Sequence, residues 1–581
     1  MVKVSFMFRP GGLLPARAIC WLLLFSAGLC RVDAFVANLE AFAAPEESVF
    51  LRWRILTDDE LGFAIERARG GEAFAPVVTT PPGTGNFTDT GLLPATAYTY
   101  RVRALVEDRE LPWRDVEVTT LPDWETPQAK PRSFEVRDRM VSFGLQGSGV
   151  TAFIEQSNDL SAWTTIGNAF FLDTFSENER QIPLGEAPMF YRVRTEAFER
   201  PSGIGLNRPF ETPPQPDGEI WDVTDFGATP ISTTNDDAIG IKVALSLAES
   251  GDTVLIPEGV YTIRQVLEIP SGVTLKGAGM ELTELVTESI DRAIMIAPEA
   301  HDIRLQDLAI THLGDEEELL YGVYVGSSRQ GRNSYRIVID SLRIERFSKH
   351  AVSLRDCHHV LVQDCLLRNA TNLGGGGHGY GVALNYPTNH NNWVRHNEIG
   401  PLIRHGVLIQ YEAHNNLVEH NLAVENTEDA YDLHGEDEYA NELRFNIARD
   451  GDRDGFGVGN TGSTHDRSGP NNWIHHNTVE NSLAGVEIIQ ASDIVYIDHN
   501  TFSGNEYGIR VHNLGGNQLY LRGNRIEGND VGVLLNSTRW VWLLHNHISG
   551  STEFGVEILS GVSDLVDEGN VFKDNAADYA P

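Results

Sequence analysis

At 581 residues the chain is too long for one ordinary domain, and 41% hydrophobic content with no long polar tract marks it as folded, so two to four units are expected. The formal charge of −37 excludes a nucleic-acid binder, because phosphate recognition needs clustered Lys and Arg. It opposes a polyanionic sugar only weakly, since screening over roughly 8–10 Å lets a locally neutral groove accept what the distant surface repels.

The first 34 residues read as a secretory signal. Lys3, Arg9 and Arg17 supply positive charge, Ala18 to Leu29 is apolar, and Val32-Asp33-Ala34 offers small residues for cleavage. A secreted, periplasmic or cell-surface protein is the expectation. Cys20 and Cys30 leave with the signal; Cys357 and Cys365 remain, too few for a disulfide framework, and their pairing stays open. No later stretch is long and apolar enough to span a bilayer.

Residues 35–122 alternate apolar and polar, as in Val49-Phe-Leu-Arg-Trp53 and Phe63-Ala-Ile-Glu-Arg67, which predicts a β-sandwich. Within them, Gly91-Leu-Leu-Pro-Ala-Thr-Ala-Tyr98-Thr-Tyr-Arg-Val-Arg-Ala104 resembles the region around the tyrosine corner of fibronectin type III domains. The resemblance implies a spacer or adhesion module. A second, smaller sandwich of fibronectin or immunoglobulin type is predicted over 128–198, where Ala152-Phe-Ile-Glu-Gln-Ser157, Trp163 and Phe190-Tyr-Arg-Val-Arg194 repeat the alternation. Pro201, Pro209, Pro213, Pro214 and Pro216 make residues 199–218 a stiff linker.

The remainder, 219–581, is periodic. Asn397, Asn421, Asn446, Asn477, Asn500, Asn524, Asn546 and Asn570 recur at separations of 24, 25, 31, 23, 24, 22 and 24 residues, each closing a short apolar run. One turn of a right-handed parallel β-helix needs about this many residues, for two or three strands of roughly 4–5 residues and their turns. The fold class is therefore all-β, a solenoid behind two sandwiches. Stacked asparagine amides bond one another from coil to coil, so this column is architecture. His396, His420, His476 and His499 beside it read as stacked turn residues.

Trp221-Asp-Val-Thr-Asp-Phe-Gly-Ala228, Gly251-Asp-Thr-Val-Leu-Ile-Pro-Glu-Gly-Val-Tyr261 and Ser271-Gly-Val-Thr-Leu-Lys-Gly-Ala-Gly279 resemble the entry region of pectate-lyase-like β-helix proteins. Between these pieces, Asn235 or Asp236 is expected to cap an amphipathic helix carrying Ala238, Ile239, Ile241, Ala244, Leu245 and Ala248, which would plug the open end.

Coils align on the small residue opening one strand: Gly322, Ala351, Gly381, Gly406, Ala430, Gly455, Gly485, Gly508, Gly532 and Gly555. Positions one and three later are apolar and point in; positions two and four later point out. The outward positions hold Ser353, Leu408, Asp432, Glu487 and Arg510 in one row and Arg355, Asn385, Gln410, His434 and His512 in the next. Just before the aligned residue stand Tyr380, His405, Asp429 and Asp454. Asp432 and His434, on one face roughly 6.5–7 Å apart, are the candidate reactive pair.

Asp432-Leu-His434, followed by Asn446-Ile-Ala-Arg-Asp450 and Asp454-Gly-Phe456, resembles the Asp-Pro-His core and following coil of mannuronan C5-epimerases over about 30 residues. The resemblance implies catalytic roles for Asp432 and His434. The chain departs from that pattern at Asp429, where the family has Tyr, at Leu433, where it has Pro, and at Gly459, where it has an acid.

Epimerisation and β-elimination of a uronate both need the sugar carboxylate neutralised, a base for the C5 proton, and an acid. Arg355, Asn385, Gln410 or a protonated Asp432 can meet the first need, and His434, with a reference pKa of about 6.5, the second. Tyr380, Tyr411 or His405 can meet the third. Asp429, Asp454, Glu487 and Arg510 are further substrate-binding candidates.

No cofactor is specified. Asp450-Gly-Asp-Arg-Asp-Gly455 imitates a calcium loop, but Thr461 stands where its bidentate Glu belongs, so no metal site is assigned there. Glu436, Asp437 and Glu438 read as an exposed loop that keeps calcium open as a ligand. Gly374 to Gly377 read as an insertion walling the groove rather than a phosphate cradle. The favoured reading is an exported, monomeric lyase or C5-epimerase of an acidic polysaccharide. A glycoside hydrolase using two of Asp429, Asp432, Asp454 and Glu487, and a noncatalytic carbohydrate-binding or surface protein, are the alternatives.

Overall fold

The computed structural model describes residues 36–580 apart from 45–47, 56–59, 83, 94–95, 108, 121–127, 138–139, 149, 159–163, 166–169, 173–177, 184–189, 198–200, 202–203, 205–210, 231–234, 289, 314–319, 328–330, 461–466, 491 and 513–515. The expected signal segment, Trp163, Pro209 and Thr461 lie outside the described residues.

From Gly259 onward the strand pairings between coils are parallel, and each coil of the middle region contributes three strands. The protein is a right-handed parallel β-helix over this region. Two of the three strand columns merge into one 25-stranded path, and the third forms a 12-stranded sheet running from Leu267–Glu268 to Phe554–Ile558. One continuous apolar core fills the interior, with Val382, Val407, Tyr431, Phe456, Val486 and Ile509 stacked in register along the 12-stranded sheet. That register is the one the small-residue alignment predicts. Glycine is needed at Gly381 and Gly406 because a Cβ at Gly381 would sit 2.4 Å from the carbonyl oxygen of Gly406, and one at Gly406 the same distance from that of Ala430.

The Asn column forms as predicted. The amide of Asn421, for example, donates to Oδ1 of Asn446 (3.0 Å) while its own Oδ1 accepts from Asn397 (2.9 Å). Two more ladders, unforeseen from the sequence, run beside it: Asn392, Asn416, Asn441 and Asn472, and then Asn505 with Asn529. His396, His420, Phe445, His476 and His499 stack coil on coil with centroids 5.1–5.5 Å apart, each in the left-handed backbone region.

The helix over Ala238–Leu247 differs from expectation in two respects. Asp237 is the cap residue, and its carboxylate accepts from the Thr229 and Thr262 amides instead of capping the helix. Ile239 faces solvent, because the buried stripe runs through Ala238, Ile241, Ala244 and Leu245. Cys357 and Cys365 are buried free thiols.

N-terminal to the solenoid the pairing is antiparallel. Val36–Ala44, Ser48–Ile55 and Asn86–Asp89 form one sheet, and Phe63–Arg69, Ala75–Thr80, Ala97–Ala104 and Arg114–Thr119 another. They share a core of Val49, Leu51, Trp53, Phe63, Ile65 and Tyr100. The Tyr98 hydroxyl accepts from the Leu93 amide at 3.0 Å. Residues Gln128–Ala197 contribute two further antiparallel sheets. The linker is not free along its whole length, since the carbonyls of Pro213 and Pro214 accept from Arg304.

Candidate functional site

The site grows out of strand alternation in the 12-stranded sheet. Tyr431 and Leu433 enter the core, so Asp432 and His434 stand on the outer wall. Nδ1 of His434 lies 2.7 Å from Oδ2 of Asp432. Both are well covered, Asp432 at 2% exposure and His434 at 9%, by neighbours on the same outer face rather than by the interior. Gly457, one coil on, leaves the space for this: a Cβ there would lie 2.7 Å from Oδ2 of Asp429 and 3.3 Å from Oδ1 of Asp432.

The row preceding the aligned residues converges on Asp432. Tyr380 pairs with His405 across the ladder, and their rings meet edge-on at 5.2 Å. His405, 2% exposed, places Nδ1 at 3.1 Å from Oδ2 of Asp432 and 3.8 Å from Oδ2 of Asp429, and Nε2 at 3.0 Å from Oε2 of Glu428. Neither nitrogen is aligned for a hydrogen bond, so these are ion-pair contacts. Arg404 completes the cluster, 2.7 Å from Glu428 and 3.4 Å from the Tyr380 hydroxyl.

Electrostatics sorts the roles. For His405, burial disfavours the charged ring, but Asp432, Glu428 and Asp429 together outweigh it and raise its pKa to about 9. Burial likewise opposes ionisation of Asp432, yet His434 and His405 hold it below its ordinary value. Asp432 is therefore an ionised acceptor, not the protonated donor entertained from sequence. His434 is raised above 6.5, burial being outweighed by Asp432. Burial and Asp432 lift Asp429 to about 6, and burial with Asp429 and Glu487 lifts Asp454 to about 9.

Other predicted residues are placed more distantly. Arg355 pairs with Asn385 and Asn385 with Gln410 in the row that continues to His434. At roughly 4.8 Å per coil this puts Arg355 roughly 14 Å from His434, beyond a shared sugar. Its guanidinium bonds the hydroxyls of Tyr386 and Ser353. The Gln410 amide donates to Asn385. Glu487 and Arg510 pair at 3.1 Å, which makes them partners of each other in this structure. Lys349 donates to the Gly376 carbonyl, fixing the glycine insertion just before Tyr380.

Glu436 and Glu438 are buried, not exposed; only Asp437 is. Glu438, wholly inaccessible, accepts from the Gly435 and Glu436 amides, which ties the turn after His434. Burial, partly offset by His434, pushes Glu436 to about 8, so it is protonated at neutral pH. Sequence reasoning placed Glu436 only in an exposed loop and missed Glu428, Arg404 and Asn460, whose amide approaches both His434 ring nitrogens at 3.5 Å. The spacing of Glu428, one residue before Asp429 in the turn, was the available signal.

Among the described residues one trio has donor atoms spaced as a metal would need, His405, Asp429 and Asp432, within 4.8 Å of one another. In this structure those atoms are engaged with neighbouring carboxylates, Nδ1 of His405 at 3.1 Å from Oδ2 of Asp432 and Nε2 at 3.0 Å from Oε2 of Glu428, and no metal is assigned to them.

Residues 321–502 match the family model described as a right handed beta helix region, and residues 453–580 match that of a periplasmic copper-binding protein, NosD. A comparison with curated proteins finds no match. Among solved structures, the chain is similar to the A-module of a mannuronan C-5 epimerase from Azotobacter vinelandii, at 17% identity over 62% of this chain and 96% of that one, TM-score 0.40. It is similar to an alginate lyase from Paenibacillus at 16% identity over 53% and 99%, TM-score 0.38. It is also similar to the catalytic unit of a thermostable alpha-1,3-glucanase from Streptomyces thermodiastaticus at 14% identity over 79% and 95%, TM-score 0.43.

Proposed function

We propose that the protein acts on a uronate-containing polysaccharide by abstracting the C5 proton, as a lyase or a C5-epimerase. The observation that carries this reading is the 2.7 Å contact between Asp432 and His434 on the outer wall. Because Asp432 is ionised, Nδ1 of His434 carries the proton and donates to it, leaving Nε2 with the lone pair that accepts the C5 proton. The C5–H electron pair passes to the sugar carboxylate as an enolate. Gln410, one coil away, and the protonated carboxyl of Glu436 are the donors that neutralise that carboxylate, a buried acid kept neutral being a hydrogen-bond donor.

Tyr411, beside Gln410 and 41% exposed, is the acid that protonates the leaving oxygen in elimination or C5 from the opposite face in epimerisation. Tyr380 is 4% exposed and held behind His405, which disfavours it for that role. Arg355, with Tyr386 and Tyr411 stacked at 5.6 Å, suits a neighbouring sugar of the same chain. In this reading the first 34 residues export the chain and the units over 35–122 and 128–198 are spacers.

A second reading, a glycoside hydrolase, rests on Asp454 being protonated beside Asp429. Incubating the purified chain with alginate, pectate and glycosaminoglycans separates the readings. A lyase yields an unsaturated sugar absorbing in the ultraviolet, an epimerase incorporates solvent deuterium at C5 without cutting, and a hydrolase yields reducing ends alone. Absence of the first two on every polyuronate overturns the proposal.

A further inference from the structure

We propose that Glu428 and His405 form a positioning pair beneath the reactive face, in which a doubly protonated His405 holds the Asp432 carboxylate ionised and turned toward Nδ1 of His434. Four groups alternate acid and base in a line: Glu428, His405, Asp432 and His434. The nitrogens of His405 lie 3.0 and 3.1 Å from carboxylate oxygens, and the field of these anions favours the ring that carries a proton on each.

His405 is nearly inaccessible, so it acts on substrate only through Asp432. The need for it is electrostatic. A carboxyl as covered as Asp432 would protonate on its own and cease to orient a neighbouring imidazole, and one cation on the outer side, His434, must itself lose its charge to serve as a base. A second cation that never takes part in proton transfer keeps Asp432 ionised through that change. Glu428 secures the cation, and Arg404 secures Glu428, which burial would raise but which His405 and Arg404 hold at about 2.

The surroundings agree. The groups facing His405 are Glu428, Asp429, Asp432, the His434 ring at 5.8 Å and the Tyr380 ring at 5.2 Å; those facing His434 are Asp432, His405, Glu436 and the Asn460 amide. Carboxylates outnumber cations around His405, and this supports its elevated affinity for a second proton. The inference rests on the reading of His434 as a base only for its purpose; the geometry of the pair stands apart from any substrate.

The test is an NMR titration of the full chain, with the histidine ring nitrogens and the aspartate carboxyl carbons labelled. His405 is expected to stay doubly protonated at pH 7.5. Glu428→Gln, a change at a part-exposed side chain that leaves the fold intact, should lower the His405 midpoint by about one unit or more, and His405→Gln should raise that of Asp432 by about as much. A singly protonated wild-type His405 at pH 7, or a His405 midpoint unmoved by Glu428→Gln, overturns the proposal. Neither readout needs turnover. A chain that shows these shifts but is inert on every polyuronate would sink the proposed reaction and leave the pair standing.

Discussion

Asp432 lies on the strand Tyr431–Leu433 and His434 directly follows it, yet their side chains touch at 2.7 Å on the outside of the solenoid while Leu433 between them is fully buried. A strand sends alternate side chains to opposite faces, and the next-nearest pair then leans together if a proton joins them. Removal of either should be felt in chemistry before stability.

His434→Ala should lower turnover on the responsive polyuronate by about 10²–10⁴-fold, the usual worth of a positioned general base, with thermal unfolding nearly unchanged. A large fall in unfolding temperature with activity retained would show the ring to be a strut.

The pH profile follows from the same contact. His434 is raised above 6.5, and a base works only when neutral, so kcat/KM should climb as pH rises through a midpoint above 6.5. Asp432→Asn removes the raising influence and should move that acid limb down by about one unit or more. An acid limb that stays in place in the variant would dissociate Asp432 from His434.

Stability should depend on pH through the stacked histidines of the inner column. Burial lowers His396 to about 3 and takes His420, His476 and His499 well below 6.5. Between the folded and unfolded values the unfolded chain binds more protons, so their contribution is complete above about 6.5 and is lost as pH falls. His405 and His434, raised in the fold, act in the opposite sense, their contribution being lost as pH rises through the folded values. Among the described residues the histidines lowered by burial, His312, His350 and His390 included, outnumber the two raised ones, so the histidines contribute net acid lability, which urea melts from pH 7.5 to 4 would detect as a falling midpoint.

Asn446→Ala should cost about 3 kcal/mol or more. It removes the acceptor for the Asn421 backbone and side-chain amides and the donor to Val418 and Asn477, and each buried group left unpaired costs about 1–3 kcal/mol. Arg449→Ala, which removes an exposed ion pair with Glu480, should cost under about 1 kcal/mol. Denaturant midpoints of the two variants give the comparison.

Two glycine substitutions separate scaffold from site. Gly485→Ala drives a Cβ to 2.4 Å from both the Gly508 carbonyl oxygen and the Phe502 ring, and should impair folding. In Gly457→Ala the nearest atoms to the new Cβ are the ends of the Asp429 and Asp432 side chains, so the chain should fold with little loss in unfolding temperature while activity falls. Equal activity in Gly457→Ala and wild type would remove Asp429 and Asp432 from the site.

The coil register, the Asn column and the face carrying Asp432 and His434 were legible because each is a local rule repeated at nearly constant spacing. Alternation assigns faces, small residues mark where coils approach, and polar residues that recur every coil must bond one another. The extra Asn ladders escaped notice since Asn392, Asn416, Asn441 and Asn472 sit five residues before the conspicuous column and look like its flank. The turn after His434 was misjudged because Glu436-Asp437-Glu438 is charged, and composition cannot show that backbone amides await one of those carboxylates.

By itself the amino-acid order determined a stacked-coil cylinder and the wall on which an imidazole and a carboxylate emerge. Only the tertiary structure decided their company: that His405 packs under Asp432 with Glu428 against its other nitrogen, that Arg355 stands too far off, and that Glu487 and Arg510 take each other. Face and register follow from strand period and coil length, which sequence states directly. Contacts across coils depend on how each turn directs its side chains and on the balance of burial against neighbouring charge, and these exist only once residues some 24 positions apart have been brought to within about 5 Å.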